Sequence, residues 1–287
     1  KQSYRLAFKI LLEGNTMYRT DFIDHRAAKI LRRYPIHTVF GSPHHLIKLL
    51  DAVKHTGSIL PNLKNVFVSG NTPTRNLIAR IEKELGCDIF NVYGSTEVGN
   101  AGVENISRKE KGFRINNQVE LQIVDESNKV LESNSSGLVR YRSATMARSY
   151  YNNKSASEES FKEGYFYPGD IGNLDINGHL HLQGRSQDVI NLNGIKYNPE
   201  NLEQIVQAQL GIIDCAAFSR ESEDGAQLLA LALVTDEDFD LQRFGEVMAK
   251  KLPVKIDDLF KLEFIPRNEN GKIERSLLSQ TYSSEKP

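Results

Sequence analysis

The sequence predicts an α/β protein in which a parallel sheet with crossover helices leads into an antiparallel β subdomain and then into a small α+β unit. Three observations predict it. Apolar runs and helical periodicity alternate between residues 25 and 92 at the spacing of strand, helix, strand. From about Gly112 the texture changes to short alternating runs divided by Asn, Ser and Gly. A polar, glycine-bounded strip at 184–194 separates these runs from a segment that again carries helical patterns.

Leu6, Ile10 and Leu11 have helical spacing, and Gly14-Asn15 stops it. Asp21 and Asp24 head an amphipathic helix with Ala27, Ala28, Ile30 and Leu31 that runs to Arg33, and Pro35 ends it. Residues 37–40 form a short strand. Ser42 and Pro43 are the N-cap and first-turn residues of a helix whose apolar stripe is Leu46, Ile47, Leu49, Leu50 and Val53. Residues 65–70 form a strand stopped by Gly70. Thr72-Pro73 then starts a helix through Leu77, Ile78, Ile81 and Leu85, capped by Gly86, and residues 88–92 form the next strand.

Parallel sheets of this kind bind ligands beyond the carboxyl ends of their strands. Two turns lie there, Ser69 to Pro73 and Tyr93 to Glu97, and they are expected to face one pocket. The second offers an aromatic face at Tyr93 and a glycine, Gly94, that lets a ligand approach the backbone. It also has hydroxyls at Ser95 and Thr96 that donate to phosphate oxygens, and a carboxylate at Glu97 suited to Mg²⁺.

Within the antiparallel part, residues 119–124, 137–143 and 178–184 are strands, and Asp170 follows Pro168-Gly169 in a turn between two strands. On residue type alone Asp170 is either an Asx-turn residue or a ligand. The domain boundary falls in the polar strip, giving parts 1–184 and 185–287. Asn198-Pro199 starts a helix with Leu202, Ile205, Val206 and Leu210 on one face, ending at Gly211. Strands near 213–219, 227–234 and 260–265, a helix near 240–250 and a polar turn at 268–274 before a last helix complete the unit. Lys272 lies in that turn, where an exposed loop lysine is the ordinary reading.

Composition narrows the function. A net charge of −1 over 287 residues, with both signs interspersed, gives no footprint for nucleic acid or an anionic membrane. The longest apolar run, at 228–234, is a buried strand and far too short to span a bilayer. The two cysteines, Cys87 and Cys215, match neither a disulfide framework nor a zinc site and fit a reducing, cytoplasmic setting as core residues. His44-His45 and the pair His179 and His181 lack an acidic or cysteine partner at ligand spacing. There is no G-x-S-x-G elbow, no Walker loop and no dinucleotide fingerprint. Arg148, Tyr150 and Tyr151 sit in a polar loop and read as surface. The chain starts at Lys1 without Met, so the sequence is expected to begin inside a longer parent chain.

Five stretches, in order, resemble one family. These are 69–73 (SGNTP), 93–97 (YGSTE), 164–170 (GYFYPGD), 184–203 (GRSQDVINLNGIKYNPENLE) and 266–275 (PRNENGKIER). Together they are similar to the AMP-forming acid-activating enzymes: acyl- and aryl-CoA synthetases, adenylation domains of peptide synthetases, and luciferases. The resemblance implies the carboxyl-terminal part of such an enzyme, a partial large domain followed by a small mobile lid. It implies a carboxylic acid substrate attacking the α-phosphate of Mg-ATP, then transfer to CoA or a carrier-protein thiol, with release of AMP. On this sequence Tyr93 would stack on adenine, with Gly70, Asn71 and Thr72 lining the pocket. Thr96 would hydrogen-bond the α-phosphate, with Gly94 and Ser95 beside it in the nucleotide site, Glu97 would hold Mg²⁺, and Asp170 would bind the ribose hydroxyls. Arg185 would contact ribose or phosphate from a hinge, Gly194 would face the thiol, and Lys272 would bridge the acid and the α-phosphate.

The family's Gly-, Ser- and Thr-rich phosphate loop is absent from this sequence, Gln187 and Asn191 stand where an acid and a lysine are common, and Asn71 replaces a small residue. These departures leave a second reading, a non-catalytic nucleotide-binding or interaction module.

Overall fold

A computed structural model of the chain describes residues 10–19, 25–57, 60–186, 188–192, 194–222, 225–268 and 272–282. It divides into two units, Lys1–Leu182 and Gln183–Pro287.

In the first unit, Ile10 to Leu12 are helical and the turn closes at Gly14, whose φ is +76°. Asp21 and Asp24 lie outside the described residues; the helix they were expected to head, α1, covers His25–Arg33 and buries Ala27 and Ala28. Strands β1 (Thr38–Gly41), β2 (Asn65–Ser69) and β3 (Asp88–Ser95) pair in parallel, in that order. The connecting helices are α2 (Pro43–Thr56) and α3 (Arg75–Leu85), whose Leu46, Leu50, Leu77 and Ile81 share one core with Val66, Val68 and Ile89. Ser42 caps α2 by accepting from the His45 N–H, and Gly57 ends it in the left-handed conformation. Ile47, expected in the apolar stripe, is 40% exposed, because the stripe of Leu46, Leu49, Leu50 and Val53 already seats the helix. Helix α3 starts two residues later than expected. Its N-cap is Thr74, not Thr72, since the Thr74 hydroxyl accepts from the Leu77 N–H at 3.2 Å.

Strand β3 continues through Gly94 and Ser95, read from the sequence as turn residues, and the turn proper is Thr96 to Val98. It leads into the antiparallel β4 (Gly99–Asn105), so the antiparallel part begins before Gly112. Strands β5 (Phe113–Ile115), β6 (Val119–Val124) and β7 (Gly137–Ser143) follow, then helix α4 (Lys154–Ser160). The unit continues with β8 (Phe161–Lys162), β9 (Tyr165–Phe166), β10 (Asp170–Leu174) and the first part of β11 (His179–Arg185), whose residues from Gln183 on belong to the second unit. The sheet runs β1-β2-β3-β4-β5-β11-β10-β7-β9-β8, with β6 paired to β7. Asp170 is the first residue of β10 rather than a turn residue, because Gly169, at φ +79°, completes the turn before it.

In the second unit, β12 (Ile190–Leu192) and β13 (Ile195–Tyr197) form a hairpin inside the strip that reads as polar. Ile190 and Leu192 are buried while Asn191 is exposed, an alternation too short to register in the sequence. Helix α5 (Pro199–Gln207) is capped by Asn198 and ends four residues before Gly211, leaving Leu210 97% exposed rather than on its apolar face. Strands β14 (Ile212–Glu221) and β15 (Gln227–Thr235) are antiparallel, and β16 (Asp258–Lys261), which starts earlier than expected, lies parallel to β15. Helices α6 (Leu241–Lys251) and α7 (Arg275–Thr281) complete the unit. Cys215, Ala217, Leu229, Leu231 and Leu233 join one core with α5 and α6, while Ala216, Phe218, Ala230, Ala232 and Phe260 join another with Leu278. Both faces of β15 are thus covered, which is why its sequence is an unbroken apolar run.

Cys87 and Cys215 are free and buried, and burial pushes the Cys87 thiol up to about 11. No described helix is long and apolar enough to cross a membrane.

Candidate active site

The carboxyl ends of β2 and β3 emerge side by side, because Ser69 pairs with Val92. Gly70, at φ +95°, therefore turns the chain away next to Tyr93, a conformation that favours glycine. Beyond it Asn71 is half-buried and Thr72 exposed.

Tyr93 is the last bulky residue of β3, and its ring is buried against Phe113 and Tyr141, with centroids at 5.5 and 6.0 Å. Its hydroxyl donates to Asp170 Oδ2 at 2.7 Å across a sequence separation of 77 residues. Asp170 is only 7% exposed, and a carboxylate taken out of water needs such donors. Next along β3, Gly94 pairs with Asn100 at a register shift. A Cβ at Gly94 would lie 2.1 Å from the Gly99 carbonyl oxygen, so only glycine lets the strands approach here. Gly94→Ala is expected to destabilise the unit by about 1–3 kcal/mol, as overpacking does, with the loss read by urea denaturation. An unchanged midpoint would contradict the close approach.

In the turn, Ser95 Oγ accepts from the Val98 N–H at 3.3 Å, Thr96 is exposed and Glu97 is half-buried. Glu97 Oε1 accepts from the Tyr150 hydroxyl at 2.9 Å, and its carbonyl accepts from the Ala147 N–H at 2.7 Å. Tyr150 is therefore not a surface residue: its ring packs edge-on against Phe161 at 5.3 Å, while Arg148 and Tyr151 are exposed. Burial, then its bond to Glu97, pushes the Tyr150 phenol above its ordinary value. Tyr141 is fully buried beneath the turn. Its hydroxyl approaches Ser95 and Tyr93 without a hydrogen bond of good geometry. Burial pushes its phenol well above the ordinary range, the Asp170 and Glu97 carboxylates add to the shift, and the group stays neutral. Tyr141 and Tyr150 were missed in the sequence because their partners are set by strand order rather than by spacing.

One unit thus brings together Tyr93, Ser95, Glu97 and Asp170. An open cavity of about 810 Å³ in the same unit is lined by residues such as Val119, Met146 and Phe161. There Glu120 accepts from Arg142 and Tyr165. His179 and His181 do have an acidic neighbour, Asp175, at 3.7 and 3.2 Å. Among the described residues no group of His, Cys, Asp and Glu is arranged to hold a metal ion by itself.

Arg185, Gly194 and Lys272 belong to the second unit. Arg185 is exposed at the end of β11. Gly194, at φ +86°, sits in the β12–β13 turn and donates its N–H to Asn191 Oδ1 at 3.0 Å. Lys272 is half-buried and lies in a loop closed on itself: the Asn268 N–H donates to the Lys272 carbonyl at 2.9 Å, and the Lys272 N–H donates to Asn268 Oδ1 at 3.1 Å.

Residues 6–151 match the AMP-binding enzyme family. The oxalate–CoA ligase of Arabidopsis thaliana is 27% identical over 255 residues, 85% of this chain and 49% of that protein. The 4-chlorobenzoate–CoA ligase of an Arthrobacter species is 26% identical over 282 residues, 94% of this chain and 53% of that protein. The solved o-succinylbenzoate CoA synthetase of Bacillus subtilis, in complex with its acyl-adenylate intermediate, superimposes with a TM-score of 0.81. That likeness, at 20% identity over 96% of this chain and 58% of the other, is one of fold. The chain spans about half the length of the curated relatives it matches. A family pattern across half of the sequence, and a shared fold across nearly all of it, place this chain among the AMP-binding enzymes.

Proposed function

We propose that the protein is an AMP-forming ligase that activates a carboxylic acid with ATP and then passes the acyl group to a thiol of CoA or of a carrier protein. The observation that carries this reading is the buried Tyr93–Asp170 hydrogen bond at the carboxyl end of β3, one turn away from Glu97. It fixes a carboxylate beside a strand end where a nucleotide would sit, and a carboxylate offers two acceptor oxygens to two ribose hydroxyls, where an amide has a donor in place of one of them.

In the first step an oxygen of the acid attacks the α-phosphorus of ATP, and the bond to the departing pyrophosphate breaks with its electron pair. Asp170 holds the ribose, Tyr93 with Gly70, Asn71 and Thr72 walls the adenine pocket, and Ser95 and Thr96 donate to phosphate oxygens. Gly94 keeps the backbone close to the nucleotide. Glu97 fits Mg²⁺, a metal that binds through one or two carboxylates together with substrate phosphates, and Tyr150 steadies that carboxylate. When bound, Mg²⁺ neutralises phosphate charge. Lys272 bridges acid and α-phosphate, and Arg185 contacts ribose or phosphate. In the second step a thiolate sulfur attacks the acyl carbon near Gly194, and AMP leaves. The free, buried thiols of Cys87 and Cys215 support a cytoplasmic setting.

The test is calorimetry with Mg-ATP and AMP, together with acid-dependent pyrophosphate exchange across a panel of carboxylic acids, on the protein at its natural length. Saturable binding with exchange is expected. Absence of nucleotide binding overturns the reading. Binding without exchange for any acid instead supports a nucleotide-binding module.

A further inference from the structure

Lys272 has an arginine five residues before it and another three residues after it. Arg267 Nη2 donates to both carboxylate oxygens of Asp214, at 2.8 and 2.9 Å. Arg275 donates through Nη2 to Glu203 Oε1 at 2.7 Å and through Nε to the Ala217 carbonyl at 3.1 Å. Glu203 Oε1 in turn accepts from the Ala217 N–H at 2.8 Å. Both attachments therefore reach β14, at Asp214 and Ala217, three residues apart on one strand. Between them the chain closes into a hairpin: Arg267 bridges Ile273, and the Glu274 N–H donates to the Pro266 carbonyl at 3.0 Å. Arg275 also lies 3.7 Å from Asp188, in the segment between β11 and β12.

We infer that Arg267 and Arg275 are positioning residues for Lys272. The inference rests on the proposed reading of Lys272 as the cation that bridges acid and α-phosphate. A lysine ammonium is a point charge on a flexible stem, so its placement depends on the backbone that carries it. A hairpin tied at one point pivots about that point, whereas one tied at two points of a single strand has both position and orientation fixed. Catalysis by an aimed charge demands such fixing, since displacements near 1 Å are costly.

The two ties differ in kind. Arg267 and Asp214 have about a third of each side chain exposed, at 31% and 28%, so breaking their pair leaves no buried charge. Glu203 is 6% exposed, and burial raises its carboxyl to about 7 against the opposing pull of Arg275, so losing Arg275 also strands a buried acid. Arg267 is therefore the cleaner probe, and Arg275→Lys, which keeps a positive charge near Glu203 but loses the fork to Ala217, is the conservative companion.

In the protein at its natural length, Arg267→Gln is expected to lower kcat for acid-dependent pyrophosphate exchange roughly tenfold. The KM for ATP and the melting temperature should stay unchanged, while amide hydrogen exchange at Asn268 and Lys272 speeds up. Arg275→Lys should lower kcat in the same way. Combining Arg267→Asp with Asp214→Arg should restore both the rate and the amide protection. Unchanged kcat and unchanged amide exchange in Arg267→Gln would overturn the inference, as would a fall in melting temperature that accounts for the whole loss of rate. If the unmutated protein shows no exchange activity, the functional reading has failed, and the amide measurement still decides whether the arginines hold the hairpin.

Discussion

Lys272→Ala is expected to lower acid-dependent pyrophosphate exchange by about 10²–10³-fold, the range seen when one preorganised donor to a developing charge is removed. The argument is electrostatic. The acid and the α-phosphate are both anionic, so their approach is opposed until a cation lies between them, and charge crowds most closely as the new P–O bond forms. An ammonium placed there stabilises the transition state more than either ground state, so kcat falls while the affinity for ATP changes little. Thiol transfer from a supplied acyl-adenylate needs no such bridge and should keep its rate in the variant. Single-turnover measurements of the two half-reactions make the comparison, and equal loss in both would contradict the role given to Lys272.

The second large effect is expected at Asp170. Asp170→Ala should raise the dissociation constants of ATP and AMP alike by about 10²-fold, the value of two charge-assisted hydrogen bonds to the ribose at about 1.5 kcal/mol each. Both nucleotides carry the ribose, whereas pyrophosphate lacks it and should bind as before. The same substitution leaves the buried Tyr93 hydroxyl without the acceptor it has at 2.7 Å, so a loss of stability of about 1–3 kcal/mol accompanies it. Tyr93→Phe in the Asp170→Ala background should recover part of that stability without recovering affinity, which separates folding from binding. Calorimetry and urea denaturation read the two effects, and a change in ATP affinity below about threefold would remove Asp170 from the nucleotide site.

What could be read in the sequence was mostly chemistry that acts within a few residues. Ser42-Pro43, Gly86 and Asn198-Pro199 mark helix ends because capping satisfies nearby backbone groups. The same locality explains the misses. Thr72 and Thr74 both flank Pro73, and only the direction of the chain leaving Gly70 decides which of them caps α3. Leu210 continues the periodicity of α5, which cannot report that the last turn opens at Ala208. Gly94 and Ser95 look like turn residues because glycine and serine favour turns, yet here glycine is needed for the close approach of two strands. The clustering of Tyr93, Tyr141, Tyr150, Glu97 and Asp170 follows from strand order, so spacing could not show it. The resemblance to acid-activating enzymes singled out Tyr93, Glu97 and Asp170, but it gave no sign of the two tyrosines beside them.

Strands β14 and β15 each send alternate residues into the two cores of the second unit. Neither core can melt while the other stays intact, because the shared backbone belongs to both. The second unit should therefore behave as one cooperative folding block. Asp214 and Ala217, which receive Arg267 and Arg275, lie on β14 within that block. The foundation of the Lys272 hairpin thus carries the full unfolding free energy of the unit.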